Sequence, residues 1–209
     1  MDIKRILILA AHPDDGEFGA GGAISKFSGE GAEIHHAVFS PCIESLPDGC
    51  APDTLFVELE KALKHLGISN GNIIKYEMPV RHFPEKRQQL LEYLNHLKEK
   101  IKPELVLMPS SFDIHQDHIT LHREGLRAFR HSSILGYELP WNNLEFKHGM
   151  FIKLEEEHIN AKVLSIQEYA SQKNRYYADE EFIRSLAVVR GRQIKTDFAE
   201  GFEVVRWIT

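Results

Sequence analysis

The sequence predicts an α/β fold: a mostly parallel sheet with right-handed crossovers and helices on both faces. Two observations carry this. Apolar runs of strand length alternate with helix-length segments over the first two-thirds of the chain. Runs apolar at every position, rather than at every second one, belong to strands buried on both faces, the habit of parallel sheets.

"RILILAA" is the first such strand, and "GEFGAGGAISKFSGEG" reads as a helix ending at glycine. "AEIHHAVFS" is the second strand, followed by the turn-rich "PCIESLPDGCAP". "DTLFVELEKALKHLG" reads as a helix, with Asp53 as N-cap and Gly67 after its end. "NIIKYEM" is a short third strand. "PEKRQQLLEYLNHLKEKI" places Leu90, Leu91, Leu94 and Leu97 on one helical face, and Pro103 stops it before the buried strand "ELVLMP". "HITLHREGLRAFRH" reads as a helix. Beyond it "SILGYELPWNNLEF" and "MFIKL" read as short strands or loops, "EEEHINAKVLSIQEYASQ" and "DEEFIRSLAVVRGRQ" as helices, and "GFEVVRWIT" as a closing strand. The expected organisation is a single domain over 1–209, with a core over 1–133 and a C-terminal extension over 134–209.

Composition narrows the function. The 209 residues are 43% hydrophobic and 27% charged, enough for a sizeable core. A net charge of −6 argues against a nucleic-acid partner, which selects a basic face. Nothing approaches the roughly eighteen consecutive apolar residues of a membrane span. The apolar start meets charge at once, so it reads as a strand and not a signal peptide. Cys42 and Cys50, without a signal peptide, read as reduced thiols and a cytoplasmic location.

Two polar clusters interrupt this pattern. "HPDD" (His12 to Asp15) ends the first strand, and "DIHQDH" (Asp113 to His118) follows "ELVLMP". In parallel α/β sheets ligands bind beyond the carboxyl ends of the strands, which is where both clusters fall. The glycines of "GEFGAGG" lack dinucleotide spacing, and Asp14 and Asp15 would repel a pyrophosphate, so they read as helix–sheet packing. His12, one of the two aspartates and His118 form a His₂Asp set of the kind catalytic zinc uses, with an open fourth position. The other aspartate is then free as a general base, and the other histidine of "HQDH", His115, can hold a proton or polarise a carbonyl.

"AHPDD" after the first strand and "HxDH" after a later one resemble the paired motifs of the PIG-L/LmbE family of zinc-dependent de-N-acetylases. "ELEKALKHLG", "RHFPEKRQQLLEYL", "PELVLMPSSFDIHQDH" and "FAEGFEVVRW" are similar to that family's segments in the same order. The resemblance implies a Rossmann-like fold and removal of acetyl groups from N-acetylglucosamine units, with an N-acetylated sugar as the small-molecule partner. It implies His12, Asp15 and His118 as zinc ligands, though such a set accepts other divalent ions. It implies Asp14 as general base, His115 as the group that stabilises the oxyanion or protonates the leaving amine, and Asp117 as the holder of the His115 ring, raising its pKa. Oligomers are common in that family, and the helical C-terminal region offers a surface for self-association.

In one respect the chain departs from the family. The arginine that many members carry before the glutamate of the second helix is absent from "DTLFVELEK". Either sugar recognition differs, or the basic group comes from elsewhere, for instance Arg81 or Arg87; in "GYELPWNN" Tyr137 can hydrogen-bond a substrate and Trp141 can stack on a sugar face. Two other readings stand beside the deacetylase: a non-catalytic metal- or sugar-binding protein on the same fold, and an amidase acting on a non-sugar amide.

Overall fold

The computed structural model describes residues 3–173 and 175–209. In chain order the elements are β1 (Arg5–Ala10), α1 (Asp15–Gly29), β2 (Glu33–Val38), α2 (Thr54–His65), β3 (Ile73–Lys75), α3 (Arg87–Ile101), β4 (Leu105–Pro109), α4 (Gln116–Ala128) and β5 (Ser133–Tyr137). Then come β6 (Met150–Leu154), α5 (Glu156–Gln167), α6 (Glu180–Gln193) and β7 (Phe198–Arg206). They build one seven-stranded sheet in the order β3-β2-β1-β4-β5-β7-β6. The first five strands are parallel, and β7 runs antiparallel between β5 and β6. The predicted mostly parallel α/β architecture is the observed one.

The buried faces alternate along β1 as pleating demands. Ile6 and Ile8 pack with residues of α1, α2, α5 and α6, whereas Leu7 and Leu9 pack with residues of α3 and α4. All four are fully buried, which is why the strand reads as a continuous apolar run. The chain leaves β1 towards β2 on one side, and β4 pairs on the other, so a crevice opens where the two loops diverge.

The glycines of α1 let the helix lie directly on the sheet. A Cβ on Gly19 would stand 2.3 Å from the Tyr137 ring, and one on Gly22 2.4 Å from Leu154. The segment 134–209, expected to carry short strands or loops and a closing strand, supplies β6 and β7 and most of β5, all in the same sheet. One boundary differs from the sequence reading. The helix α4 begins at Gln116, with His115 as its N-cap, so half of the second polar cluster is helical. Asp53 holds the N-cap position of α2, but its side chain makes no capping bond.

The close approach at α1 sets a stability test. Gly19→Ala should lower the urea-unfolding free energy by about 1–3 kcal/mol, because the methyl must displace a buried ring. Gly29→Ala, which faces open space, should be neutral or mildly stabilising. Equal stability of the two variants would contradict the packing account.

Candidate metal centre

Parallel pairing of β1 with β4 brings both polar clusters to one cavity of about 300 Å³. His12, Asp14, Asp15, His115 and His118 all line it. Asp14 occupies the N-cap position of α1 in the left-handed region, at φ 88°, and its side chain caps nothing. Aspartate is among the few side chains tolerated there.

The imidazoles are oriented from behind by carboxylates. Asp117 is fully buried, and its oxygens accept the backbone N–H groups of Arg81 (2.6 Å) and Phe83 (3.2 Å). Burial pushes its pKa up, but hydrogen bonds from His12 and Arg81 hold it below the usual carboxylate range. An ionised Asp117 only accepts, so His12 Nε2, 3.0 Å away, donates to it and Nδ1 keeps its lone pair for the cavity. Asp113 does the same for His118: its Oδ2 lies 2.8 Å from Nδ1, leaving Nε2 to face inward. Carboxylates on the far ring nitrogen are the usual support of metal-binding histidines.

Three donor atoms converge as a result. His12 Nδ1 lies 3.1 Å from His118 Nε2, which lies 3.1 Å from Asp15 Oδ2, and the third edge measures 3.4 Å. Tetrahedral zinc with bonds near 2.0–2.1 Å spans ligand edges of roughly 3.3 Å. The triangle therefore fits such an ion. Asp15 is fixed by the His12 N–H (2.8 Å), and despite burial the His118 and His12 rings hold its pKa well down.

The donor atoms of His12, His115 and His118 also lie within 4.8 Å of one another. His115, however, accepts the Asp117 N–H at Nδ1 (3.2 Å), so its neutral ring carries hydrogen on Nε2 and presents a donor. Burial, then the His118 and His12 rings, lower its pKa to about 4. This corrects the expected pairing. The Asp117 carboxylate is committed to His12, and does not hold the His115 ring or keep it protonated.

Asp14 is the carboxylate with the least support. Burial, followed by the charge of Asp15, raises its pKa to about 8, while Arg175, 3.5 Å away, pulls it down. Arg175 also donates to the Tyr177 hydroxyl (2.5 Å), and Tyr177 stacks on Trp141 with ring centroids 3.9 Å apart. Trp141 and Arg81 line the cavity. Arg81 sits at φ 71° with its guanidinium on Ser45 Oγ (3.0 Å). Arg87 lies elsewhere, paired with Glu124.

Tyr137 does not reach the cavity. It is fully buried beneath Gly19, and its hydroxyl donates to the Leu9 carbonyl (3.0 Å), so it cannot meet a substrate. Asp113, Arg175 and Tyr177 were not singled out from the sequence. Asp113 stood within the quoted cluster without a role, and the other two lie in a loop carrying no motif.

The model of the PIG-L family, described as GlcNAc-PI de-N-acetylase, matches residues 7–129, more than half of the chain and both clusters. The chain belongs to the PIG-L family. Within the wider set of relatives, this PIG-L protein is 29% identical over 177 residues to YaiS of Escherichia coli strain K12, described as an uncharacterized deacetylase, covering 80% of this chain and 91% of YaiS. The fold is shared with N,N'-diacetylchitobiose deacetylase from Pyrococcus horikoshii (TM-score 0.77, 19% identity, 97% of this chain and 84% of that one). It is shared equally with GalB, the 4-carboxy-2-hydroxymuconate hydratase of Pseudomonas putida KT2440 (TM-score 0.82, 21% identity, 99% and 98%). No helix among the described residues is long and apolar enough to cross a membrane.

The geometry makes two predictions. Asp113→Ala should weaken divalent-metal affinity roughly 10- to 100-fold by freeing the His118 ring; unchanged affinity in a metal titration would refute its supporting role. The second concerns metal-free protein. Asp14 at about 8, and His118, raised to about 10 by Asp15 and Asp113 against the effect of burial, hold protons that the unfolded chain has released. Above about pH 7 the folded state binds more protons, so its thermal midpoint should fall as pH rises towards about 10. A rising profile would contradict these assignments.

Proposed function

We propose that the protein is a metal-dependent de-N-acetylase that hydrolyses the acetamide of an N-acetylated amino sugar or small glycoconjugate, with zinc as the ion. The observation that carries this reading is the triangle of His12, Asp15 and His118 with Asp14 left uncommitted beside it. A protein that only bound metal would have no use for Asp14 or for the donor on His115. Family membership points to the same chemistry.

A divalent ion held by His12 Nδ1, Asp15 Oδ2 and His118 Nε2 would supply a Lewis acid for the acetamide carbonyl and make water a better nucleophile at neutral pH. Asp14 takes the proton of the attacking water. A cation nearby, added to Arg175, lowers its pKa from about 8 and favours the carboxylate that this step needs. His115 donates its Nε2 hydrogen to the oxyanion that develops as water adds. Asp14 then passes its proton to the nitrogen as the C–N bond breaks, giving acetate and the amine. This division of labour follows from the ring of His115, which is neutral and not imidazolium. Trp141 offers an aromatic face for the sugar ring, and Arg81 a donor at the rim.

Because a hydratase shares the fold, the assay must follow acetate. Asp14→Asn should retain metal by elemental analysis and lose roughly 10²–10⁴-fold in acetate release from N-acetylglucosamine derivatives. Turnover at the wild-type rate would refute Asp14 as base. His118→Ala should lose the ion itself. Equal rates on simple acetamides and on N-acetylated sugars would favour the amidase reading.

A further inference from the structure

A second cavity, of about 410 Å³, opens beside the metal pocket at the carboxyl ends of β2 and β3. Its walls are apolar: Pro41, Phe56, Met78 and Val80 line it, and Ile43, 53% exposed, stands at the rim. The two cavities adjoin. Val80 lines both, and the segment 40–45 divides them, with Cys42 and Ser45 towards the metal pocket and Pro41 and Ile43 towards the other. Cys42 adopts φ 54° with its N–H on Ser40 Oγ (3.1 Å), a turn that sends successive side chains to opposite sides of this partition.

Spacing and charge limit what could occupy it. From the β1/β4 crevice to the β2/β3 crevice is two strand spacings, roughly 10 Å. That is about the reach of one hexose with its glycosidic bond, so a sugar whose acetamide lies at His12 and His118 can place its aglycone here. The ionisable groups of the cavity are Glu44, Asp53 and Glu77, all exposed and without an ion-pair partner among the described residues. Two cations lie close by: Arg81 is turned onto Ser45, and Lys75, over the Phe56 ring, is paired with Glu60. An uncompensated acidic rim repels phosphate and tolerates a neutral or cationic group.

We propose that this cavity is an aglycone subsite, and that the substrate is an N-acetylated amino sugar joined to an apolar group and not to a phosphate. The inference rests on the de-N-acetylase reading and adds the class of conjugate.

The test compares free N-acetylglucosamine, its benzyl β-glycoside and its 1-phosphate on metal-loaded wild type and Ile43→Asp. Acetate release and equilibrium binding by calorimetry are read separately. In wild type the benzyl glycoside should exceed the free sugar by roughly tenfold or more in kcat/KM and in affinity, from burial of the ring. The 1-phosphate should gain nothing. In Ile43→Asp the benzyl-to-free ratio should fall several-fold. A wild-type ratio near one, a ratio that Ile43→Asp leaves unchanged, or a preference for the phosphate would each overturn the proposal. If no compound releases acetate while the benzyl glycoside still binds more tightly and Ile43→Asp weakens it, the deacetylase reading fails and the apolar subsite stands.

Discussion

The parallel contact between β1 and β4 is the constraint on which the molecule depends. Ile6 lies opposite Leu105 and Ile8 opposite Leu107, although an α-β-α-β-α stretch separates them in the chain. Each strand presents different residues to its two layers of helices, so a slip of one residue would exchange the sets and break both layers. The same register delivers the ends of both strands to one level. His12 and His118 can therefore meet within hydrogen-bond distance without either loop being long or mobile. Helix and sheet packing thus does at a distance what the proposed metal triangle needs locally.

Around that triangle the protein solves an electrostatic problem. Asp14, Asp15, Asp113 and Asp117 are all buried within a few ångströms of two imidazoles. Buried carboxylates are costly unless donors surround them. Asp117 has two backbone N–H groups and a ring; Asp113 has the His115 N–H and a ring; Asp15 has the His12 N–H and two rings. Each is a fixed acceptor. Among the described residues Asp14 has only an arginine at 3.5 Å, and burial raises its pKa to about 8. Four chemically identical groups are thereby sorted into three that hold position and one that can exchange a proton.

Much of this was legible from residue order. The alternation of strand and helix signals placed both clusters at one sheet edge, and the residue types pointed to the side chains that converge there. What could not be read was which carboxylate serves which ring. Asp117 is two residues from His115, and sequence proximity favours that pair, yet the fold turns the carboxylate towards His12 and leaves only its backbone N–H to His115. Tyr137 failed for a related reason. An aromatic residue beside polar neighbours looks the same whether it lines a cavity or lies under a glycine of the next layer. Arg175 and Tyr177 come from a loop after α5, where neither period nor motif marks a residue for the site.

One backbone torsion has a wider consequence. Asp14 holds an L side chain at φ 88°, where glycine alone is unstrained. Replacing it with glycine would relieve the turn and remove an ill-supported buried carboxyl group in one step. Evolution under pressure for heat resistance alone would drift towards that change, and the protein it produced would be more durable but without the base of its proposed chemistry. Position 14 is where robustness and chemistry compete for a single residue, and part of the thermal ceiling of the fold is set by the carboxylate that its proposed chemistry must keep.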